Sequence, residues 1–201
     1  MPKSPTGTPA DGRGPFVFDL RELGRRPGAM QEYRRGAPAP GAIGLDLIGV
    51  PDGAPLDLNL RLESVSEGVL VTGTVAAPLV GQCGRCLDPI SDELAVDIVE
   101  LFAYAHTTTD ETTEQDEVRR VDGETVDVEP AVHEAVVLAL PITPLCRPDC
   151  PGLCPTCGEH LADLPAGHTH ETIDPRWAKL AAFTDGDAAG PDASVHDPDT
   201  D

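Results

Sequence analysis

Nowhere in the 201 residues do apolar side chains run on for the roughly 20 positions that a membrane-spanning helix needs. The opening stretch, MPKSPTGTPADGRGP, also lacks the apolar segment of a secretory signal, so a cytoplasmic protein is expected. Aromatic residues are scarce, at 3 %, and cations are outnumbered: 14 Lys and Arg stand against 35 Asp and Glu, a formal charge of −21. That balance argues against a broad nucleic-acid-binding surface, because contact with the phosphate backbone relies on many cations. It serves solvation, and it would also attract a basic protein over long range. Signatures of catalysis are missing as well: there is no HExxH, no GxSxG and no glycine loop shaped to cradle phosphate. His133 and Glu134 are neighbours on a helical pattern, so their side chains diverge and do not form an acid–base pair. No enzyme is expected.

What is abundant is glycine and proline, 20 and 21 residues, gathered at the ends and at the joints between apolar runs. Residues 1–14 are expected to be a disordered leader and 184–201 a disordered acidic tail without Lys or Arg. Between them, 15–106 reads as a β-rich domain. Residues 16–20 suit a short strand, and the arginine-rich stretch that follows, broken by Pro27 and Gly28, is expected to become ordered only on a partner. Leu56, Leu58, Leu60 and Leu62 alternate with polar residues, which predicts a half-buried strand. A turn at Glu67 and Gly68 and the β-branched run over 69–77 make a hairpin with it, and 79–83 continues the meander. The alternation resumes over 94–104 with a phase slip near Ile98 and Val99 that a β-bulge would absorb. Residues 107–127 are polar and acidic, which predicts a mobile loop. In 128–183, Asp127 and Pro130 start a helix that carries Val132, Val136 and Leu140 on one face until Pro141 stops it, and Asp174 and Pro175 start a short helix with Trp177, Leu180, Ala181 and Phe183. The fold class expected is α+β: a mostly antiparallel β-sheet or partial barrel packed by one main helix, with a zinc-binding C-terminal segment and disordered ends.

The chemistry-bearing pattern is one of cysteines. Cys83-Gly84-Arg85-Cys86 and Cys154-Pro155-Thr156-Cys157 are CxxC pairs in turn-like sequence, which lets two sulfurs converge on one cation. Cys146 and Cys150 precede the second pair, and His168 and His170 follow it. Eight donors suffice for two tetrahedral zinc sites, so one or two zinc ions are expected, and metal would act as the core of a segment poor in apolar side chains. The sharpest partition puts Cys83, Cys86, Cys146 and Cys150 on one ion and Cys154, Cys157, His168 and His170 on another. A second groups Cys146, Cys150, Cys154 and Cys157. A third joins the two CxxC pairs in a ribbon. Spacing does not choose among them. His160 is a weaker candidate, and His106, His133 and His196 have no convergent partners in the sequence. Two other readings of the cysteines are inert thiols and a thiol switch at Cys83 and Cys86, which would need a depressed pKa and reversible oxidation. Against the acidic background, residues 13–35 are locally basic; Arg21, Arg25, Arg26, Arg34 and Arg35 are the candidates for RNA contact.

Five segments, FVFDLRELGRRPGAM, CGRCLDPI, VDVEPAVHEAVVLALPITPLC, CPGLCPTCGEHL and DPRWAKL, together resemble the YceD family over most of residues 16–183. The resemblance implies a β-rich domain with a metal-binding C-terminal part and a role in accumulation or processing of 23S ribosomal RNA. Genes of the family commonly sit beside that of a large-subunit ribosomal protein, so the partners it implies are such a protein, pre-rRNA or both, with no membrane and no small-molecule substrate. By position, Cys83, Arg85 and Cys86 match the family's CxRC, and Cys146, Cys150, Cys154 and Cys157 its later cluster. Many relatives carry two cysteines where this chain has His168 and His170, an exchange that zinc tolerates.

Overall fold

Leucines at every second position from Leu56 to Leu62 form the middle of a sheet strand whose four leucines are all buried while the residues between them face solvent. The computed structural model describes residues 14–112, 114, 118–170 and 176. In chain order its elements are β1 (Val17–Asp19), β2 (Met30–Pro38), β3 (Ile43–Leu45), β4 (Ile48–Val50), β5 (Pro55–Ser64), β6 (Gly68–Gln82), β7 (Pro89–Ala103), α1 (Thr108–Thr112), β8 (Arg119–Arg120), β9 (Thr125–Asp127) and α2 (Glu129–Ala139). The chain divides into two units, Met1–Leu153 and Cys154–Asp201.

The first unit is built on a mostly antiparallel, open sheet. β5 and β6 form a hairpin closed at Val65 and Gly68, and β2 pairs along the far side of β5 from Met30↔Glu63 to Pro38↔Pro55. β4 and β3 extend the same side of β6 beyond β5. β7 lies along the opposite side of β6 in unbroken register from Gly68↔Ala103 to Gln82↔Pro89, and β8 joins it in parallel at Phe102 and Ala103. A separate ribbon pairs β1 with β9. The apolar face of the sheet, the ribbon and α2 share one core, in which Phe16, Phe18, Leu60, Val71, Phe102, Val126, Val132 and Val136 are all buried. Few aromatics are present, but Phe18 meets Tyr33 edge to face with centroids 5.0 Å apart. The carboxylate of Asp127 accepts the N–H of Glu129 at 2.9 Å, which satisfies a donor at the start of α2.

Several sequence expectations need correction. The arginine-rich stretch is ordered within the chain itself: residues 30–38 are strand β2, and the turns before it are held by Gly24 N–H to the Leu20 carbonyl and Gly28 N–H to that of Ser64. Residues 79–82 continue β6 without a break. No bulge interrupts β7, since one-to-one register with β6 runs through Ile98 and Val99; Val99 faces solvent, and its apolar side chain mimicked a phase slip. The polar stretch 107–127 carries α1, β8 and β9, and Val126 is fully buried beside Phe18 in the ribbon register. A three-residue strand with one apolar side chain leaves no periodic signal. The expectations for the leader over 1–13, for the helix with Trp177, Leu180, Ala181 and Phe183, and for the tail over 184–201 lie outside the described residues.

Candidate metal centre

The connection from β6 to β7 is a knuckle. Its two ends are tied by Cys83 N–H to the Asp88 carbonyl at 2.8 Å and by Leu87 N–H to the Cys83 carbonyl at 3.0 Å. The residue after the second cysteine, Leu87, sits in the left-handed region at φ 64°. In the second unit the same construction recurs on different residues. Cys154 N–H reaches the Glu159 carbonyl at 2.8 Å, Gly158 N–H reaches the Cys154 carbonyl at 2.8 Å, and Gly158 has φ 77°. Two loops that share little beyond CxxC therefore take one backbone course. Such a turn aims N–H groups at the first sulfur and brings the second sulfur alongside it.

In the first unit, Cys83, Cys86, Cys146 and Cys150 place their sulfurs within 4.8 Å of one another. Cys86 lies 3.5 Å from Cys146 and Cys83 lies 3.7 Å from Cys150, sulfur to sulfur. A disulfide needs about 2.05 Å, whereas sulfurs at the corners of a tetrahedron with ~2.3 Å metal–sulfur bonds stand ~3.8 Å apart. The spacing fits the second arrangement, and the cysteines are free thiols. Cys83, Cys86 and Cys150 form a small buried cluster with Leu145, Leu153 and Ile90 packed around it. The chain returning from α2 is laced to the knuckle by Gly84 N–H to the Pro144 carbonyl at 2.8 Å, by Arg85 Nη1 to the Cys150 carbonyl at 2.8 Å and by Leu153 N–H to the Arg85 carbonyl at 3.2 Å. Arg85 is thus a structural tie on both its side chain and its backbone, a role that the sequence motif alone did not disclose.

In the second unit, Cys154, Cys157, His168 and His170 also bring one donor atom each within 4.8 Å. Cys157 Sγ lies 3.6 Å from His168 Nε2, and the two imidazoles meet edge to face with centroids 4.5 Å apart. Proline and glycine set up the histidine pair: His168 N–H closes a turn onto the Pro165 carbonyl at 3.1 Å, with Gly167 at φ 85° in the position that a type II turn reserves for glycine. His106, His133 and His160 belong to neither four-donor group, and His196 lies outside the described residues.

Electrostatics favour thiolates at the first cysteine of each knuckle. Burial pushes the Cys83 thiol up, but the N–H groups of Cys146, Cys86 and Arg85 directed at its sulfur outweigh this and lower it to about 6. At Cys154 the N–H groups of Cys157 and Thr156 lower the thiol to about 6 against the effect of burial, with His168 adding to them. Cys86 is raised, by burial first and then by the proton-sharing contacts with Asp88, Cys83 and Cys146. Four thiols this close compete for charge, and a divalent cation is what allows all of them to be thiolates together. Among the described residues, then, the eight candidate donors fall into two groups of four, divided as in the first of the three partitions that the spacing allows.

The candidate RNA contacts do not form one set. Arg21 clasps the carboxylate of Asp19 through its backbone and side chain, and Arg25 lies over the Tyr104 ring at 4.8 Å. Arg26 and Arg34 are exposed. Arg35 is different: its Nη1 donates to the carbonyls of Pro15 at 2.8 Å and Val17 at 3.3 Å, and its guanidinium covers Phe18 at 4.5 Å. Half-buried and engaged by two carbonyls, it binds β1 to the sheet, which corrects its assignment as an RNA contact. Arg35→Ala should therefore cost about 2 kcal/mol, as expected for charge-assisted hydrogen bonds, whereas Arg34→Ala should leave stability within about 0.5 kcal/mol. Urea unfolding of both variants checks this.

A family model described as Large ribosomal RNA subunit accumulation protein YceD matches residues 71–184. An uncharacterised protein of Mycobacterium tuberculosis is 61 % identical over 166 residues, covering 83 % of this chain and 80 % of the relative. A Mycobacterium leprae protein is 49 % identical over 83 % of this chain and 76 % of its own, and the protein YlbN of Bacillus subtilis is 26 % identical over 63 % and 73 %. No solved structure matches the chain. The matched residues span β6, the knuckle, α2 and both four-donor groups, and with more than half of the chain inside the family model and close relatives over four-fifths of it, the chain belongs to the YceD family.

Proposed function

We infer that this protein is a non-enzymatic zinc-binding factor of the cytoplasm that promotes synthesis, processing or accumulation of 23S rRNA during assembly of the large ribosomal subunit. The observation that carries the metal part is the pair of closed four-donor groups, Cys83, Cys86, Cys146, Cys150 and Cys154, Cys157, His168, His170. Thiolate-rich sets select zinc over harder divalent ions, and four protein donors leave no open position for an activated water, which supports a structural and not a catalytic role. Held there, zinc would rigidify the turn-rich segments after α2 into a fixed docking surface. The ribosomal part rests on family membership, and the partners that follow are a large-subunit ribosomal protein, pre-rRNA or both. A cytoplasmic site of action agrees with this, and no helix among the described residues is long and apolar enough to cross a membrane.

A thiol-redox role for Cys83 and Cys86 is less well supported. A sensor thiol must be reached by oxidant, and Cys83 is fully buried while Cys86 is 5 % exposed. The test has two readouts. Elemental analysis of the purified chain should give two zinc ions, falling to one in Cys83→Ser and to one in Cys154→Ser. Cells depleted of the protein should accumulate less mature 23S rRNA, and wild type but not the double variant should restore it. A metal-free, folded and fully complementing protein would overturn the reading.

A further inference from the structure

Strand β7 is one of the edges at which the sheet is left open, with β2 and β3. It is paired with β6 along its whole length, but on its other side the one pairing among the described residues is with β8, at Phe102 and Ala103. From residue 95 to 100 that free edge forms one wall of a groove of about 590 Å³ whose other wall is α2, through Ala131, Glu134, Ala135, Leu138 and Ala139. An exposed strand edge presents unpaired N–H and C=O groups, and natural sheets commonly block such edges with lysine, proline or a bulge. β7 has none of these across the groove: its register is unbroken, and between residues 90 and 103 it has no proline and no cation. The groove also has apolar side chains that no described residue of the first unit covers, with Val99 72 % exposed and Leu138 78 % exposed on its two walls.

We propose that this groove binds an extended, basic polypeptide segment, which adds to β7 as a further strand, with side chains of one face beside Val99 and those of the other toward Leu138. Charge decides the occupant. Asp97, Glu100 and Glu134 line the groove, Asp92 and Glu93 continue the acidic run along the strand, and one cation, Arg119, bridges Glu100 at 3.3 Å and Glu134 at 2.7 Å at one end. A second copy pairing through its own β7 would bring a like acidic edge, and RNA would bring phosphates; both are repelled, whereas a Lys- or Arg-rich strand is attracted and its register fixed. The occupant's identity as a ribosomal-protein segment rests on the function proposed above; the groove and its preference for a basic strand do not.

The primary test uses the full chain and a synthetic peptide of about eight alternating Lys and Val residues, matched to a groove edge of six residues at ~3.4 Å each. Its control is the same peptide N-methylated at every residue, with equal charge but no N–H left to donate to a strand edge. The plain peptide should bind, at least tenfold more tightly than the methylated one. Val99→Lys with Leu138→Lys, both at exposed positions, should lose at least tenfold in affinity, while Leu45→Lys elsewhere on the surface should not. Equal binding of both peptides, or an unaffected double variant, overturns the proposal. A photo-cross-linker at Leu138 in growing cells should capture a Lys/Arg-rich protein segment; RNA, a second copy of this chain or its own residues 154–201 at that position overturn the proposal instead. Peptide binding with a basic but non-ribosomal cross-linked partner would keep the groove and sink the ribosomal reading. Absence of peptide binding in a protein that still supports 23S rRNA accumulation would do the reverse.

Discussion

Replacing Cys150 by Ala is expected to remove one of two zinc ions and to release residues 143–153 from the sheet while the sheet itself stays folded. The three buried sulfurs of Cys83, Cys86 and Cys150 form a cluster separate from the main hydrophobic core, so its loss leaves the contacts among Leu56, Leu60, Val71 and Phe102 in place. What holds the returning chain is a short set of backbone and side-chain ties, Gly84 to Pro144, Arg85 to Cys150 and Leu153 to Arg85, at the edge of a segment without secondary structure of its own. Binding free energies of structural zinc are on the order of 10–16 kcal/mol, far more than three hydrogen bonds at about 1 kcal/mol each. Hydrogen exchange separates the two. Protection of the Gly84 and Leu153 amides should fall on the order of 100-fold or more, equivalent to about 2.7 kcal/mol of local opening, with β5 and β6 amides unchanged. Cys154→Ala should instead expose residues 154–170 and spare Gly84, because the two donor groups share no residue. Wild-type protein treated with a strong chelator should combine both patterns. If the chelated chain keeps Gly84 and Leu153 protected, the hydrogen bonds suffice and metal is not what organises this region.

The parts of this molecule that were legible in the sequence are those where one physical preference repeats. Four leucines alternating with polar residues can only place one face inward, and Val132, Val136 and Leu140 can only mark one side of a helix. The metal-donor types were legible for a similar reason, since six cysteines in a chain with few apolar side chains near them have few other uses. Their division into two groups was not, because it depends on where α2 delivers Cys146 and Cys150, and that is set by packing of the helix on the core. The ribbon of β1 and β9 escaped because Val126 is a lone apolar residue among polar ones, buried only once Phe18 comes to lie across from it. Arg35 reads as one more surface cation until Phe18 and the carbonyls of Pro15 and Val17 surround it. Long-range partners of this kind leave no local periodicity.

Gly73 is where a single methyl group should do the most damage. It stands at the centre of β6, paired with Leu60 on one side and Ile98 on the other, between the buried Val71 and Val75. Its φ of 150° is one that side chains rarely adopt, and a Cβ there would come within 2.1 Å of the Asn59 carbonyl oxygen and 2.8 Å of the Leu60 Cα. Both obstacles are backbone of the adjoining central strand, so no rotamer change relieves them. Glycine at this point lets the backbones of β5 and β7 both approach β6 in unbroken register. Backbone strain of about 1–3 kcal/mol and overpacking of about 1–3 kcal/mol act together in Gly73→Ala, so a loss of roughly 3–5 kcal/mol is expected, a large share of what a domain this size has to lose. Gly36→Ala is the internal control. That glycine is also in a strand, on the outward face of β2, with nothing nearer to the added methyl than the Asp57 carboxylate oxygen at 4.0 Å, and its stability should change by less than about 1 kcal/mol. Urea midpoints measured side by side settle it, and equal midpoints for the two variants would mean that the backbone around Gly73 accommodates a side chain after all.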